Sequence, residues 1–172
     1  MNLRETILEE HSKKQCAKIV AWVGNDKKRF AELMRLMLQD EYRVAQRAAY
    51  PISYCVEKHP TFITPWFAKM IKRMQDKDVH HAVRRNALRI FEKVDIPERH
   101  CGILFELGNQ YLHDISQPIA VRAFSLTLMS NIAQKYPDLQ NEVKANAESL
   151  LQCGIPALES RSRQALRKIL KK

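Results

Sequence analysis

A six-residue pattern recurs along the chain as Val44-Ala45-Gln46-Arg47-Ala48-Ala49, Val83-Arg84-Arg85-Asn86-Ala87-Leu88 and Val121-Arg122-Ala123-Phe124-Ser125-Leu126. A weaker fourth copy stands at residues 161–166, and the steps between copies are 39, 38 and 40 residues. Each of the first three copies follows an aspartate in a short polar turn, namely Asp40, Asp78 and Asp114. A repeat of this length indicates a chain built from stacked supersecondary units.

Each of the first three copies lies in the first of two predicted helices. Proline cannot continue a helix, so the first helices are expected to end near Pro60, Pro97 and Pro137. The second helices are predicted over residues 65–74, 98–112 and 138–152. An N-terminal pair over residues 2–23 and 27–39 precedes these units, and residues 155–172 supply one last helix.

An apolar stripe recurs at a 37-residue step through three second helices. Its members are Phe30, Leu33, Met34 and Met37, then Phe67, Met70, Ile71 and Met74, then Leu104, Leu107, Gly108 and Tyr111. Stacking of the helix pairs buries such a stripe as a continuous core. The sequence therefore predicts one repeat domain over residues 1–172, with pairs at about 2–39, 40–76, 78–113 and 115–153 and a cap at 155–172.

The aspartate, the short turn and the Val-Arg pattern at this period together resemble HEAT repeats, within the armadillo-type helical solenoids. The resemblance covers residues 40–172 directly and the first pair by periodicity. It departs at Ala45, where an arginine is expected, and in the fourth copy, which lacks the valine. The resemblance implies an all-α, right-handed α-solenoid of about four stacked antiparallel helix pairs with a C-terminal capping helix. Since HEAT proteins are mostly binding scaffolds, it implies a non-catalytic function in protein–protein interaction.

In the resembling family the second helices line the concave face, which is the usual binding face. At the 37-residue step this face carries Arg35, Lys72, Asn109 and Asn146, and Lys69 and Arg73 lie beside Lys72. The pattern predicts a groove with a cationic N-terminal half and an amide-rich C-terminal half. The cations could meet phosphates or an acidic protein segment, or only solvate the polar face of a helix. The two asparagines could equally bond to each other between neighbouring turns.

Arginines at the repeat position have a structural interpretation. The resemblance implies that Arg84, Arg122 and Arg163 bond to an aspartate of a neighbouring turn, for which Asp78 and Asp114 are available. A basic run near the C-terminus has two interpretations, a polar capping helix or a surface that binds nucleic acid or an acidic partner. It consists of Arg161, Arg163, Arg167, Lys168, Lys171 and Lys172.

The formal net charge is +10, from 29 basic and 19 acidic residues. The excess lies towards the two ends, and residues 79–154 are balanced. A basic excess indicates either an anionic partner or only solubility. The predicted partner is a protein, expected to be acidic, and nucleic-acid binding through a basic concave face is the alternative.

No metal site, cofactor or catalytic motif is predicted. Four cysteines stand alone among apolar residues and are expected to be reduced core residues: Cys16, Cys55, Cys101 and Cys153. Nucleophile elbows, phosphate-binding glycine loops and His-Glu metal motifs do not occur. A remote third possibility is a DNA-glycosylase-like repair enzyme, which would need a tryptophan and a carboxylate in a basic cleft.

The sequence carries no secretory signal and no run of about 20 apolar residues that would form a membrane helix. It therefore predicts a cytoplasmic protein without a membrane partner.

Overall fold

The computed structural model describes residues 1–170, which form ten α-helices and two short 3₁₀ helices and contain no strand. The α-helices are α1 (Leu3–Glu9), α2 (Lys13–Val23), α3 (Lys27–Gln39), α4 (Tyr42–Lys58), α5 (Phe67–Gln75), α6 (His81–Phe91), α7 (Glu98–His113), α8 (Ile119–Lys135), α9 (Gln140–Leu150) and α10 (Pro156–Leu170). The 3₁₀ helices are Pro60–Trp66 and Pro137–Leu139. Two members of the predicted basic run, Lys171 and Lys172, lie outside the described residues.

The chain forms two compact units, Met1–Val94 and Asp95–Lys172. In the first unit, α4 is the central helix and packs against α1, α2, α3 and α6. In the second unit, α8 packs against α7, α9 and α10. Each helix therefore packs mainly on its neighbours along the chain, as in an all-α solenoid. The single repeat domain over residues 1–172 stays a prediction.

The predicted apolar stripe forms the core of both units. In α3 its members are between 0% and 1% exposed, and in α5 Met70 and Met74 are fully buried. In α7, Leu104 is fully buried and Tyr111 is 7% exposed. The stripe is thus confirmed in all three helices, because each turns one face at i, i+3, i+4 and i+7 towards its neighbours.

The predicted first helix is interrupted, and residues 2–23 form α1 and α2 instead of one helix. The Ser12 side chain accepts a hydrogen bond from the Gln15 main-chain nitrogen, which begins a new helix at Lys13. The Gln15 side chain is buried and donates to the Thr6 carbonyl oxygen and to the Glu9 carboxylate. These bonds hold the beginning of α2 against α1. The first predicted pair therefore consists of three helices.

Two second helices begin later than predicted. A 3₁₀ helix, Pro60–Trp66, precedes α5, which begins at Phe67 and not at Pro65. Likewise Pro137–Leu139 precedes α9, which begins at Gln140 and not at Asp138. A proline begins each 3₁₀ helix, and its missing N–H is no loss there, because the first N–H groups of a helix have no partner in any case. The chain therefore enters these helices through a tighter turn.

Short polar turns separate the helices and are fixed by side chains. Asp26 accepts hydrogen bonds from the main-chain nitrogens of Lys28 and Arg29, and these bonds hold the pKa of Asp26 below its usual value. Asp40 accepts two hydrogen bonds from the Arg4 guanidinium, at 2.9 and 3.1 Å, which lower the pKa of Asp40. Gly24 ends α2 with a φ of 47°, a conformation that glycine adopts without strain.

Candidate partner-binding groove

A groove of about 420 Å³ lies in the first unit, between the second helices α3 and α5. We call it the basic groove and define it by Arg35 and Leu38 of α3, Trp66 at the end of the 3₁₀ helix, and Lys69, Lys72 and Arg73 of α5. All four cations that the sequence predicts for the first half of the binding face line this one groove. Helical spacing explains why they share the groove. Because the apolar stripe of α5 is buried, the opposite, polar face of α5 points to solvent.

Trp66 is 9% exposed and supplies the aromatic part of the groove wall. The Lys69 ammonium lies 4.9 Å from the centroid of the Trp66 ring, within range of a cation–π interaction. Trp66 therefore belongs both to the buried core and to the groove wall. A signal for its second role was present, since tryptophan and lysine three residues apart face the same way on a helix.

Arg73 is largely occupied by the protein itself. Its Nε donates to the Leu38 carbonyl oxygen at 2.8 Å, and its Nη1 lies 2.9 Å from the Asp76 carboxylate. The carboxylate of Asp76, which also lines the groove, is thereby paired internally. Arg73 therefore stabilises the end of α3 and is not a free ligand-binding cation.

Three cations of the basic groove remain open to solvent: Arg35, Lys69 and Lys72. Among the described residues, none of the three forms an ion pair with a carboxylate. The groove consequently holds uncompensated positive charge beside an aromatic surface. Such a site attracts carboxylate or phosphate groups.

The repeat arginines bond to main-chain carbonyls at the ends of second helices. Arg84 donates to the carbonyl oxygens of Met74 and Asp76, both at 3.0 Å. Arg122 donates to the Leu112 carbonyl oxygen at 2.9 Å. The last carbonyls of a helix have no intrahelical donor, so these arginines cap α5 and α7.

The other repeat positions have local contacts. Arg163 lies on α10, 3.9 Å from the Glu159 carboxylate of the same helix. Asp114 accepts from the main-chain nitrogen and hydroxyl of Ser116 and from the Gln117 amide, which fixes its own turn. Asp78 is exposed in the turn before α6. The implied bond between arginine and aspartate side chains stays a prediction.

Comparison with known proteins agrees with an arrangement of repeated helices. The family model described as a HEAT repeat domain matches residues 3–171. The chain belongs to the HEAT-repeat family. The HEAT-type solenoid expected from the repeat pattern is therefore confirmed.

One solved structure similar to this HEAT-repeat chain is the N-terminal domain of MAST/Orbit. The two share 14% identity with a TM-score of 0.50, over 97% of this chain and 81% of that chain. At this identity the likeness concerns the fold alone. No curated protein sequence matches the chain. None of the helices in residues 1–170 is long and apolar enough to cross a membrane, and the cytoplasmic location stays a prediction.

The amide half of the predicted binding face lies in the second unit. There the Asn146 side-chain nitrogen donates to the Asn109 side-chain oxygen at 3.1 Å, and both residues are half-buried. This bond joins two consecutive second helices of the HEAT repeats, α7 and α9. It favours the structural interpretation of the two asparagines over ligand contact.

We expect a double-mutant cycle of Asn109→Ala and Asn146→Ala to give a coupling energy of about 0.5–1.5 kcal/mol, the usual net value of one hydrogen bond. Urea unfolding followed by far-UV circular dichroism measures it. A cycle of Asn109→Ala with Asn141→Ala is the control, because Asn141 is exposed on α9. Coupling near zero in the first cycle would mean that the two amides are free for a ligand.

The basic run on α10 is partly engaged within the second unit. Arg161 donates to the Thr127 hydroxyl at 2.9 Å and stacks over Phe124 at 5.2 Å. Lys168 donates to the Asn131 side chain. Arg163 and Arg167 are exposed. These contacts are those of a capping helix that packs on α8 and α9 and leaves its remaining face to solvent.

Proposed function

We propose that this HEAT-repeat protein is a non-catalytic scaffold that binds an acidic segment of a protein partner in the basic groove. One observation carries the proposal. Arg35, Lys69 and Lys72 converge on one groove, and no carboxylate of the described residues pairs with any of them. Trp66 adds an aromatic surface on which the apolar part of a peptide can pack.

The size of the groove favours a peptide over duplex DNA. The helix α5 has 9 residues and is about 13.5 Å long, which matches a few residues of extended peptide. Proteins that bind duplex DNA through its phosphates often make roughly 6–10 phosphate contacts. The basic groove offers only three cations without a carboxylate partner within this length.

The contacts of arginines elsewhere in the chain also favour a peptide over duplex DNA. Five arginines donate to main-chain carbonyls near the ends of neighbouring helices: Arg29, Arg47, Arg73, Arg84 and Arg122. Five of the 29 basic residues therefore have a structural role in joining helices. The net charge alone is then weak support for nucleic-acid binding.

We expect a labelled poly-glutamate peptide to bind the full chain at low salt, and Lys69→Glu with Lys72→Glu to weaken that binding at least about tenfold. Each reversal removes one attraction and adds one repulsion, each of a few tenths to about 1 kcal/mol at an exposed site. Fluorescence anisotropy at about 50 and 200 mM salt measures the affinity and its screening. Arg73 stays unchanged, because its loss would also uncap α3.

The matched control is Lys14→Glu with Lys27→Glu, which alters the net charge equally at exposed positions outside the groove. Labelled duplex and single-stranded DNA are titrated in parallel. Tighter binding of DNA that is lost in the groove variant would favour the nucleic-acid alternative. Equal weakening by both double variants, or no binding of the peptide at low salt, would refute the proposed function.

A further inference from the structure

A second groove, of about 320 Å³, lies in the first unit between α2 and α4. We call it the tyrosine groove. Its lining comes from Cys16, Ala17, Val20 and Ala21 of α2 and from Tyr50 and Tyr54 of α4. It shares no residue with the basic groove.

Residue sizes along α2 make this surface concave. Ala17 and Ala21 are exposed and small, so they leave a depression beside the larger tyrosines of α4. Cys16 and Val20 form its floor and are 6% and 9% exposed. Burial raises the pKa of the Cys16 thiol, which keeps the floor uncharged.

The tyrosine wall is held in one arrangement and partly open to solvent. The rings of Tyr50 and Tyr54 meet edge to face with centroids 5.2 Å apart, and their hydroxyl oxygens lie 3.2 Å apart. Tyr54 is 40% exposed. Exposed tyrosines on a rigid helix supply contact area at low conformational cost, and they are enriched at protein interfaces.

Both ends of the tyrosine groove are positively charged. Lys13 lies at the beginning of α2 and Lys58 at the end of α4, and neither forms an ion pair with a described residue. The nearby carboxylates are already paired, Glu9 with Lys18 and Glu57 with Lys93. The unpaired positive charges at this surface therefore favour a ligand with an acidic group near each end.

We propose that the tyrosine groove binds one apolar face of a short amphipathic helix from a protein partner, with an acidic residue near each end. The groove follows α2 from Lys13 to Ala21, which is about 12 Å or two helical turns. Apolar side chains at i, i+3, i+4 and i+7 of a docked helix span a similar length. Acidic residues that flank this face lie within reach of Lys13 and Lys58.

The probe is a labelled synthetic peptide with leucines at i, i+3, i+4 and i+7 and a glutamate flanking each end. We expect it to bind the full chain, and a scrambled peptide of the same composition to bind at least about tenfold more weakly. Ala17→Gln with Ala21→Gln fills the groove at exposed helical positions and is expected to weaken binding at least about tenfold. Far-UV circular dichroism confirms that this variant is folded.

Two further double variants distinguish the contribution of charge from that of shape, and binding in the tyrosine groove from binding in the basic groove. Lys13→Gln with Lys58→Gln should weaken binding of the peptide with flanking glutamates and leave binding of a peptide with glutamine at both ends unchanged. Lys69→Glu with Lys72→Glu changes only the basic groove and should leave the helical peptide bound, so the two proposals fail independently. Equal binding of the scrambled peptide, full affinity in the filled-groove variant, or no binding of the helical peptide would each overturn this inference.

Discussion

Replacing Phe91 with alanine is expected to lower the free energy of unfolding of the first unit by about 3–5 kcal/mol. Phe91 ends α6 and is 0% exposed, and its ring stacks on that of Phe67 with centroids 5.3 Å apart and planes 11° from parallel. Alanine would remove both the ring contact and the buried apolar area, and would leave a cavity between α5 and α6.

Tryptophan fluorescence during urea unfolding measures this loss selectively. The chain has two tryptophans, Trp22 and Trp66, and both lie in the first unit. The matched control is Tyr54→Ala, at a 40% exposed aromatic residue, for which we expect a change within about 1 kcal/mol. A loss below about 1 kcal/mol for Phe91→Ala would contradict the close packing of α5 on α6.

Periodicity was enough to predict the solenoid, because an apolar stripe at helical spacing determines which face of a helix is buried. It was not enough to locate the break between α1 and α2. Residues 2–23 have a continuous helical pattern, yet Ser12 caps a new helix and Gln15 closes the gap. The signal was present in the sequence, since serine followed three residues later by glutamine is the pattern of a helix N-terminus.

Spacing also predicted which cations share a face, and Arg35, Lys69, Lys72 and Arg73 do line one groove. It could not predict which of them are already engaged. Arg73 donates to a main-chain carbonyl of another helix, and a carbonyl has no signature in the sequence because every residue carries one. A similar limit explains why the tyrosine groove was not predicted: the sequence shows the small residues of α2 but not that they pack beside the tyrosines of α4.

Arg84 gives the strongest test of arginines as helix caps. We expect Arg84→Met to lower the free energy of unfolding of the first unit by about 2–3 kcal/mol. Methionine keeps an unbranched aliphatic side chain but lacks the guanidinium, so the carbonyls of Met74 and Asp76 lose the hydrogen bonds from Arg84. Urea unfolding followed by tryptophan fluorescence measures the loss, and Arg85→Met is the control.

Arg85 neighbours Arg84 on α6 and is likewise half-buried, but it makes no hydrogen bond or ion pair with a described residue, so its loss should cost less than about 0.5 kcal/mol. Added salt should have little effect on the difference in free energy of unfolding between the two variants, since hydrogen bonds to partly buried carbonyls are weakly screened. Equal, small losses would mean that the repeat arginines only solvate their helices. In that case their charge would again be available to an anionic ligand, and nucleic-acid binding would regain the support that the caps remove.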